Sequence, residues 1–195
     1  MIRLSHEVHL PTIWGDFYAT SFDNAELKNN LLVRYGLIDN TKPIMVRIHS
    51  ECITSEVFGS LRCDCQSQLH QSIELIKENG SGLIIYLRQE GRGIGLFNKI
   101  QSYHLQQNGL DTIDANLKLG FAVDLRSYKI TVDLLKHLHI NQVIIISNNP
   151  NKIKALTENG INVSGILNTT PLINEHNRNY IKTKHESLFH LYKTK

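Results

Sequence analysis

Short apolar runs of strand length alternate with amphipathic stretches through most of this chain. Residues 44–49 (IMVRIH), 83–87 (LIIYL) and 143–146 (VIII) are interpreted as buried strands, because each is rich in apolar side chains. Strands buried on both faces require helices on both sides of their sheet. The pattern therefore predicts an α/β fold with a mixed sheet covered by helices, in three layers. Helices are predicted at residues 68–78, 98–108, 128–139 and 150–158.

The first 43 residues follow a different pattern. Turn residues at 14–16 (WGD) and 39–40 (DN) separate short strand-like runs, which predicts an antiparallel β-subdomain. The 195 residues are long enough for one domain, or for two small ones that share a core, and we expect a single domain. We divide this domain into a β-rich part at 1–43, an α/β core at 44–167 and a C-terminal tail at 168–195.

Composition and charge exclude several classes of protein. The net charge of +3 is too small to indicate nucleic-acid binding. No apolar run approaches the roughly 18 residues of a membrane span. The start, MIRLSHEVHLPTIWGDF, lacks the apolar core of a secretory signal. Together with cysteines that cannot form a closed disulfide set, these features predict a cytoplasmic protein without a membrane or nucleic-acid partner.

All three cysteines, Cys52, Cys63 and Cys65, fall within fourteen residues. An odd number of thiols excludes a closed disulfide framework. Three soft ligands in one segment suit Zn²⁺, and a fourth position left to water suits a catalytic zinc. The spacing alone leaves two alternatives open: a structural zinc closed by His49, and cysteines that pack as small hydrophobic side chains.

A glycine-rich loop, QEGRGIGL at 89–96, directly follows one predicted strand. Its alternating glycines, Gly91, Gly93 and Gly95, let backbone N–H groups approach an anion, and Arg92 adds further donors. A strand, such a loop and then a helix favour a phosphate or nucleotide site, although a tight strand–helix turn would use the same residues. The loop is neither the dinucleotide-binding G-x-G-x-x-G motif nor a P-loop.

Asp124 and Arg126 are separated by one residue, so in extended backbone their side chains lie on the same side. A carboxylate can act as a base, and a guanidinium can hold a phosphate. A surface ion pair is the alternative interpretation of this pair.

Two further segments lie next to predicted strands. SNNPNK at 147–152 follows a buried strand, where open α/β sheets bind ligands, although a well-capped strand–helix connection has the same composition. Strand alternation places Arg47, His49 and Glu51 on one side, next to the first cysteine. Such polar groups commonly orient the ligands of a metal.

Together, these motifs resemble those of the GTP cyclohydrolase II family. The family's zinc segment H-S-E-C-x10-C-x-C is present at 49–65, and its loop R-Q-E-G-R-x-I-G-L at 88–96. Its D-x-R-[DS]-[YF] element is present at 124–128, and its [TS]-N-N-P-x-K turn at 147–152. The family's opening L-P-T-x-W-G-D-F recurs at 10–17. The combination is far more specific than any one motif.

The resemblance implies the family's activity. This is the zinc-dependent conversion of GTP to 2,5-diamino-6-(5-phospho-ribosylamino)pyrimidin-4(3H)-one, with release of formate and pyrophosphate, as the first step of riboflavin biosynthesis. It also implies one Zn²⁺ per subunit, Mg²⁺ with the triphosphate, and a homodimer. Two alternatives are an early-stopping relative that retains the formyl group and a non-catalytic zinc-containing GTP-binding module. Many relatives are fused to a second riboflavin enzyme, for which this chain has no room.

The resemblance also implies roles for single residues. The three cysteines would hold the zinc that activates water for attack at C8 of guanine. Asp124 matches the proposed base, and Tyr103 matches a tyrosine near the reacting purine. Arg126 matches a residue proposed as nucleophile toward the α-phosphate, but a guanidinium stays protonated, so phosphate binding is its alternative role. Guanine recognition is expected of Glu90 or Gln68. The GTP-binding positions implied are Arg47, Ile48, His49, Ser50, Glu51, Gln68, Glu90, Gly91, Arg92, Thr112, Ser147 and Lys152.

Some positions depart from the family pattern. Ser55 and Glu56 stand where relatives commonly have Gly and Asp, Gln66 replaces a common Gly, and Ser147 replaces a common Thr. None of these changes removes a residue with a chemical role. Activity is therefore expected to be retained.

Overall fold

The structure of the protein is a computed structural model that describes residues 1–186. Residues 187–195 of the predicted C-terminal tail lie outside the described residues. A mixed sheet of eight strands forms the centre of the described part. Its strands are β1 (Arg3–Leu4), β2 (Val8–Thr12), β3 (Gly15–Asp23), β4 (Asn30–Tyr35), β5 (Ile44–Ser50), β6 (Gly82–Leu87), β7 (Gln142–Ile146) and β8 (Asn162–Leu167).

The sheet has a parallel half and an antiparallel half. Its order is β1-β3-β4-β6-β5-β7-β8, with β2 pairing to β3. Strand β5 runs parallel to both β6 and β7, and β8 runs parallel to β7. The antiparallel strands predicted for residues 1–43 are present. They continue the same sheet, because β4 pairs antiparallel with β6.

The four predicted helices are present, with ends within three residues of the expected positions. The glycine loop contains a short 3₁₀ turn at Glu90–Gly93, which was not predicted. Strand β8, two short helices and the last helix were not predicted. The helices are α1 (Ile53–Glu56), α2 (Cys65–Glu78), α3 (Gly95–Gln107), α4 (Thr112–Lys118), α5 (Lys129–His137), α6 (Pro150–Thr157) and α7 (Arg178–Glu186).

Helices cover both faces of the sheet, which confirms the three-layer prediction. Alternate residues of β5 point to opposite faces. Val46 and Ile48 join the larger core, which includes side chains of α5 and α6. Met45 joins the smaller core, together with Ile73 and Ile76 of α2. Each such fully buried side chain stabilises the fold by about 1.5–3 kcal/mol.

The topology brings the sequence motifs to one edge of the sheet. Since β5, β6 and β7 are parallel, their carboxyl ends lie together. The cysteine segment follows β5, the glycine loop follows β6, and the segment 147–152 follows β7. This is the edge at which α/β proteins bind ligands. None of the helices in the described part of the chain has the length and apolar character to cross a membrane.

Candidate metal and anion site

The three cysteine sulfurs form a compact cluster after β5. All three lie within 4.8 Å of one another, and the sulfurs of Cys52 and Cys63 are 3.6 Å apart. Tetrahedral zinc with sulfur bonds of about 2.3 Å requires sulfur–sulfur separations of about 3.8 Å. The cluster therefore fits zinc in both ligand type and spacing. Hydrogen bonds with Cys63 and Cys65 lower the pKa of Cys52, and the nearby Lys99 ammonium adds to this effect.

His49 lies beside this cluster but has other partners. Its Nε2 is 2.8 Å from Glu56 Oε1, and its Nδ1 is 3.2 Å from an Arg47 nitrogen. Burial lowers the pKa of His49 to about 4, so the ring is neutral at pH 7. The ring then donates to Glu56 and accepts from Arg47. This arrangement does not support a zinc site closed by His49.

Glu56 connects His49 to the cysteine segment. Its Oε1 also accepts a hydrogen bond from the backbone N–H of Cys52 at 2.9 Å, and its Oε2 accepts one from the Tyr86 hydroxyl at 2.6 Å. The side chain is largely buried, with 9% exposed. Glu56 therefore fixes the backbone that presents the first sulfur, which is the usual role of groups outside a metal's ligand set.

The glycine loop after β6 has a left-handed backbone. Gly91, Arg92 and Gly93 have φ values of 63°, 60° and 92°. A non-glycine residue in this region is strained by about 1–3 kcal/mol, and such strain concentrates at functional sites. The backbone N–H of Leu125 donates to the Arg92 carbonyl at 3.0 Å, and a Cβ at position 93 would lie 3.0 Å from Leu125 Cβ. The loop therefore holds Arg92 against the 124–126 segment, and Gly93 permits the close approach.

Two adjacent cavities share walls formed by Arg92, Arg126, Cys65, Ser50 and Tyr180. We call the first the sulfur cavity, because the cysteine cluster lines it. We call the second the cationic cavity. The sulfur cavity is also lined by Cys52, Arg62, Cys63, Glu90, Lys99, Ser102, Tyr103, Gln106 and Asn116. The cationic cavity is also lined by Arg47, His49, Gln68, Ser147, Asn148, Asn149, Lys152 and Lys184.

Arg92 is the strongest sign of an anion site. Both terminal nitrogens of its guanidinium are buried and have no hydrogen-bond partner among the residues that the structure describes. Leaving a charged group buried and unpaired is costly, and native proteins rarely do so without a ligand. Four more cationic residues line the cationic cavity, and no carboxylate among the described residues does so. The cavity therefore suits a multiply charged anion.

Asp124 and Arg126 form a two-pronged ion pair. Arg126 donates to the two carboxylate oxygens at 2.9 and 2.6 Å. Burial lowers the pKa of Arg126, but Tyr128 and Asp124 outweigh it and raise the pKa. The guanidinium therefore stays protonated. Arg126 lines both cavities, so the predicted pair lies in the site rather than on an unrelated surface.

Lys152 is also placed in the site by α6. Its Nζ donates to the Ile48 carbonyl at 2.8 Å, which ties α6 to the end of β5. Burial lowers the pKa of Lys152 well below its ordinary value, and the nearby cations Arg47 and Arg126 lower it further. An anion in the cationic cavity would reverse the second effect.

The two residues expected to recognise guanine are engaged with protein groups. Gln68 accepts from Arg47 at 2.9 Å and donates to Asp64 at 2.6 Å. Glu90 accepts from the backbone N–H of Ile53 at 2.7 Å and from the Lys99 ammonium at 2.7 Å. In this structure both side chains stabilise the walls of the site.

Other predicted positions also surround the two cavities. Tyr103 lines the sulfur cavity, with its hydroxyl 3.5 Å from Thr54 Oγ1. Ser50 accepts a hydrogen bond from Gln89 at 3.0 Å, and Glu51 pairs with Arg88 at 2.8 Å. Ser147 Oγ accepts the backbone N–H of Asn149 at 3.1 Å. The first residue of α4 is Thr112, whose side chain lies outside the described part of the structure.

Helix α7 closes one side of the site, which the sequence did not reveal. Tyr180 lines both cavities, and Lys184 donates to Asp64 at 2.7 Å. Asp64 lies between two of the cysteines in sequence and has 0% of its side chain exposed. Burial raises the pKa of Asp64, but Lys184 outweighs this and lowers it. In the sequence, the only indication that this helix lies at the site was the spacing of Tyr180 and Lys184, which are one helical turn apart.

Helix α3 supplies several polar residues to the site, of which only Tyr103 was predicted from the sequence. Lys99, Ser102, Tyr103 and Gln106 all line the sulfur cavity. Their spacing of three and four residues places them on one helical face. A polar stripe at helical spacing, directly after a glycine loop, was therefore the signal that could have found this wall.

Fold and site define a class of α/β protein with a cysteine cluster that could hold a metal ion and a cationic cavity beyond its parallel strands. A family model described as GTP cyclohydrolase II matches residues 3–168. The chain belongs to the GTP cyclohydrolase II family.

Known proteins of this family align with nearly all of the chain. GTP cyclohydrolase-2 of Acinetobacter baylyi is 49% identical over 185 residues, covering 94% of this chain and 92% of that protein. GTP cyclohydrolase-2 of Buchnera aphidicola is 45% identical over 194 residues, covering 97% and 98%. Riboflavin biosynthesis protein RibBA of Bacillus mycoides is 44% identical over 186 residues, covering 95% of this chain. The chain spans only 47% of that longer protein.

Proposed function

We propose that this protein is a zinc-dependent GTP cyclohydrolase II. It opens the imidazole ring of GTP and releases formate and pyrophosphate, leaving 2,5-diamino-6-(5-phospho-ribosylamino)pyrimidin-4(3H)-one as the first step of riboflavin biosynthesis. One observation carries the proposal: a cluster of three cysteine sulfurs lies beside a cavity in which Arg92 has two buried guanidinium nitrogens without a hydrogen-bond partner in the described part of the chain. A nucleoside triphosphate has a base that suits the sulfur cavity and a polyanion that suits the adjacent cationic cavity.

The site suggests how GTP is oriented. The triphosphate would bind at the cationic cavity, which Arg92, Arg126 and Lys152 line. The guanine base then extends into the sulfur cavity, against Tyr103. Cys52, Cys63 and Cys65 would hold zinc, whose Lewis acidity supports hydrolysis of the ring when it is bound. Helix α7 contributes Tyr180 and Lys184 to the wall of the cationic cavity.

Asp124 and Arg126 supply the groups for release of pyrophosphate. The protonated guanidinium of Arg126 favours phosphate binding over nucleophilic attack, because it has no free lone pair. Asp124 is the partner of Arg126 in this ion pair, and its carboxylate orients the guanidinium. If the phosphate takes over the ion pair with Arg126, Asp124 would be free to accept the proton of the water that displaces pyrophosphate at the α-phosphate.

The test is to incubate the zinc-loaded protein with GTP and Mg²⁺ and to quantify formate, pyrophosphate and the pyrimidine together. Equal amounts of all three products are expected. Pyrophosphate with a formylated pyrimidine but no formate would instead indicate the early-stopping alternative. GTP binding without any product would indicate the non-catalytic alternative and overturn the proposal.

Two variants separate the two halves of the site. Cys52→Ala should abolish formate release while the protein remains folded, because the metal loses one of three ligands. Arg126→Ala should block pyrophosphate release, whereas Lys136→Ala on the exposed surface of α5 should match the wild type. Unchanged pyrophosphate production by Arg126→Ala would contradict the role of the ion pair.

The proposal includes Mg²⁺ bound with the triphosphate, a homodimer and a cytoplasmic location. The resemblance of the motifs supports Mg²⁺ and the homodimer, and the cysteines that cannot form a closed disulfide set support the cytoplasmic location. Titration of Mg²⁺ at fixed zinc tests the first, because turnover should rise with the fraction of Mg²⁺-bound GTP. Light scattering of the purified protein tests the homodimer, and fractionation of cells that express the protein tests the cytoplasmic location.

A further inference from the structure

Lys99 is a buried cation at the cysteine cluster to which the proposed function assigns no role. The residue is 8% exposed, and α3 carries it into the sulfur cavity. Its Nζ has three partners at hydrogen-bond distance: Glu90 Oε1 at 2.7 Å, Thr54 Oγ1 at 3.0 Å and Cys52 Sγ at 3.2 Å. An ammonium has three N–H donors, so these partners use all of them.

The contact with sulfur is selective. Within the described residues, the hydrogen bonds of Lys99 reach Cys52 but neither Cys63 nor Cys65. A sulfur that accepts a charge-assisted hydrogen bond gives less electron density to a metal, and hydrogen bonds to cysteine sulfur tune metal sites in this way. Cys52 would therefore be a weaker ligand to a bound metal than Cys63 or Cys65.

This weakening matters because of the charge of the cluster. Three thiolates around Zn²⁺ give a net charge of −1, and such an ion is a weaker Lewis acid than one held by three histidines. A cation in contact with one thiolate offsets this excess. It does so from outside the ligand set, so it leaves a coordination position open.

We propose that Lys99 is a positioning residue that tunes the metal, through its hydrogen bond to the Cys52 sulfur, toward a more electrophilic ion. The effect on the metal depends only on the cysteine cluster. The effect on turnover rests on the proposed function.

A simpler role would be neutralisation of the buried Glu90 carboxylate. Glu90 already accepts backbone N–H groups from Ile53 at 2.7 Å and from Gly91 at 2.9 Å. These two bonds would hold the carboxylate without an ammonium. Neutralisation also gives no reason for the third N–H of Lys99 to point at a sulfur.

The experiment uses the Co²⁺-substituted protein and its sulfur-to-cobalt charge-transfer absorption. Lys99→Met removes the ammonium and keeps an unbranched side chain only one heavy atom shorter. Without the hydrogen bond the sulfur lone pairs rise in energy, so the band is expected at longer wavelength than in the wild type. In the zinc-loaded protein, kcat for GTP should fall about tenfold to a hundredfold, as is typical for loss of such a supporting contact, with a smaller change in KM.

Three comparison variants identify the cause. Lys99→Arg keeps a cationic donor and should return the band toward its wild-type position. Glu90→Gln removes the ion pair but leaves the Lys99 contact with Cys52, so it should leave the band unchanged. Lys136→Met, on the exposed surface of α5, should match the wild type in both measurements.

An unchanged band in Lys99→Met would overturn the proposal, whatever happens to turnover. An equal shift in Glu90→Gln would also overturn it, because Lys99 would then act only through the carboxylate. If Lys99→Met does not fold by circular dichroism, the neutral and more polar Lys99→Gln replaces it with the same expected shift. Failure of the wild-type protein to convert GTP would refute the proposed function but not the result on the band.

Discussion

Lowering the pH from 7 to 4.5 should destabilise this protein through His49. Burial lowers the pKa of this side chain from 6.5 to about 4 in the folded protein. Between these values the unfolded chain binds a proton that the folded protein does not bind. The free energy of unfolding therefore rises with pH in this range. The contribution of neutral His49 is fully present above pH 6.5 and is lost as the pH falls toward 4.

The size of this effect follows from the two pKa values. The difference between 6.5 and about 4 corresponds to at most about 3 kcal/mol, and about 2 kcal/mol of it should be lost by pH 4.5. The main physical cause is burial of the ring, which disfavours its charged form. Protonation would also place a second cation next to Arg47, whose nitrogen is 3.2 Å from His49 Nδ1. Glu56 offsets only part of this cost.

Urea unfolding at several pH values between 7 and 4.5 measures the effect. His49→Gln keeps a donor for Glu56 but cannot take up a proton, so its stability should depend less on pH than that of the wild type. His104→Gln, at an exposed position of α3, should keep the wild-type dependence. The series is measured with excess zinc and again with a chelator, since release of the metal also depends on pH. The same pH dependence in His49→Gln and wild type would refute the reasoning.

Three other substitutions test the packing around the site. Lys184→Met leaves Asp64 charged and buried, so the free energy of unfolding measured by thermal denaturation should fall by about 3–5 kcal/mol. Adding Asp64→Asn should recover part of this loss. If the effects of the two substitutions simply add, a direct ion pair is contradicted. Gly93→Ala should destabilise the protein more than Gly95→Ala. Both glycines have positive φ, but of the two only position 93 has a neighbouring atom of the described residues within 4 Å of the added Cβ. Equal losses of stability in thermal unfolding would contradict the close approach between Gly93 and Leu125. Without GTP, Arg92→Met should raise the free energy of unfolding by about 1–3 kcal/mol, because it removes buried nitrogens that lack a hydrogen bond within the described part of the chain. The same substitution should weaken GTP binding at least tenfold in calorimetry. A loss of stability would show that the Arg92 guanidinium already has hydrogen-bond partners.

The parallel half of the sheet could be predicted because full burial makes its strands nearly continuous apolar runs. Strand β5 shows this, with six of its seven residues buried. Strand β8 was missed because it alternates exposed and half-buried residues at the edge of the sheet and contains Gly165. Helix α7 was missed because its residues, RNYIKTKHE, are mostly polar, so no apolar periodicity marks it. Helices α1 and α4 are too short to show a period.

The site could be predicted as far as local motifs reach. The cysteine segment, the glycine loop and the segment 147–152 each follow a strand. Parallel strands bring their carboxyl ends together, so the meeting of these three segments follows from the topology. The partners of single side chains do not follow, because they depend on packing between distant residues. Lys184 and Asp64 are 120 positions apart, and neither has a motif around it that names the other. The same is true of Lys99 and Cys52, which are 47 positions apart.

Helix α3 shows why the site overrides the usual sequence pattern. In most surface helices the apolar face is buried and the polar face is exposed. Here Lys99 and Ser102 are 8% and 3% exposed, while Phe97 and Ile100 are 75% and 49% exposed. Burial of polar groups and exposure of apolar ones both lower stability, so packing alone gives no reason for this inversion. A polar wall facing the sulfur cavity does give a reason, because a polar ligand there needs donors and acceptors from the helix. The outward apolar face, in turn, is the kind of surface that a homodimer would bury.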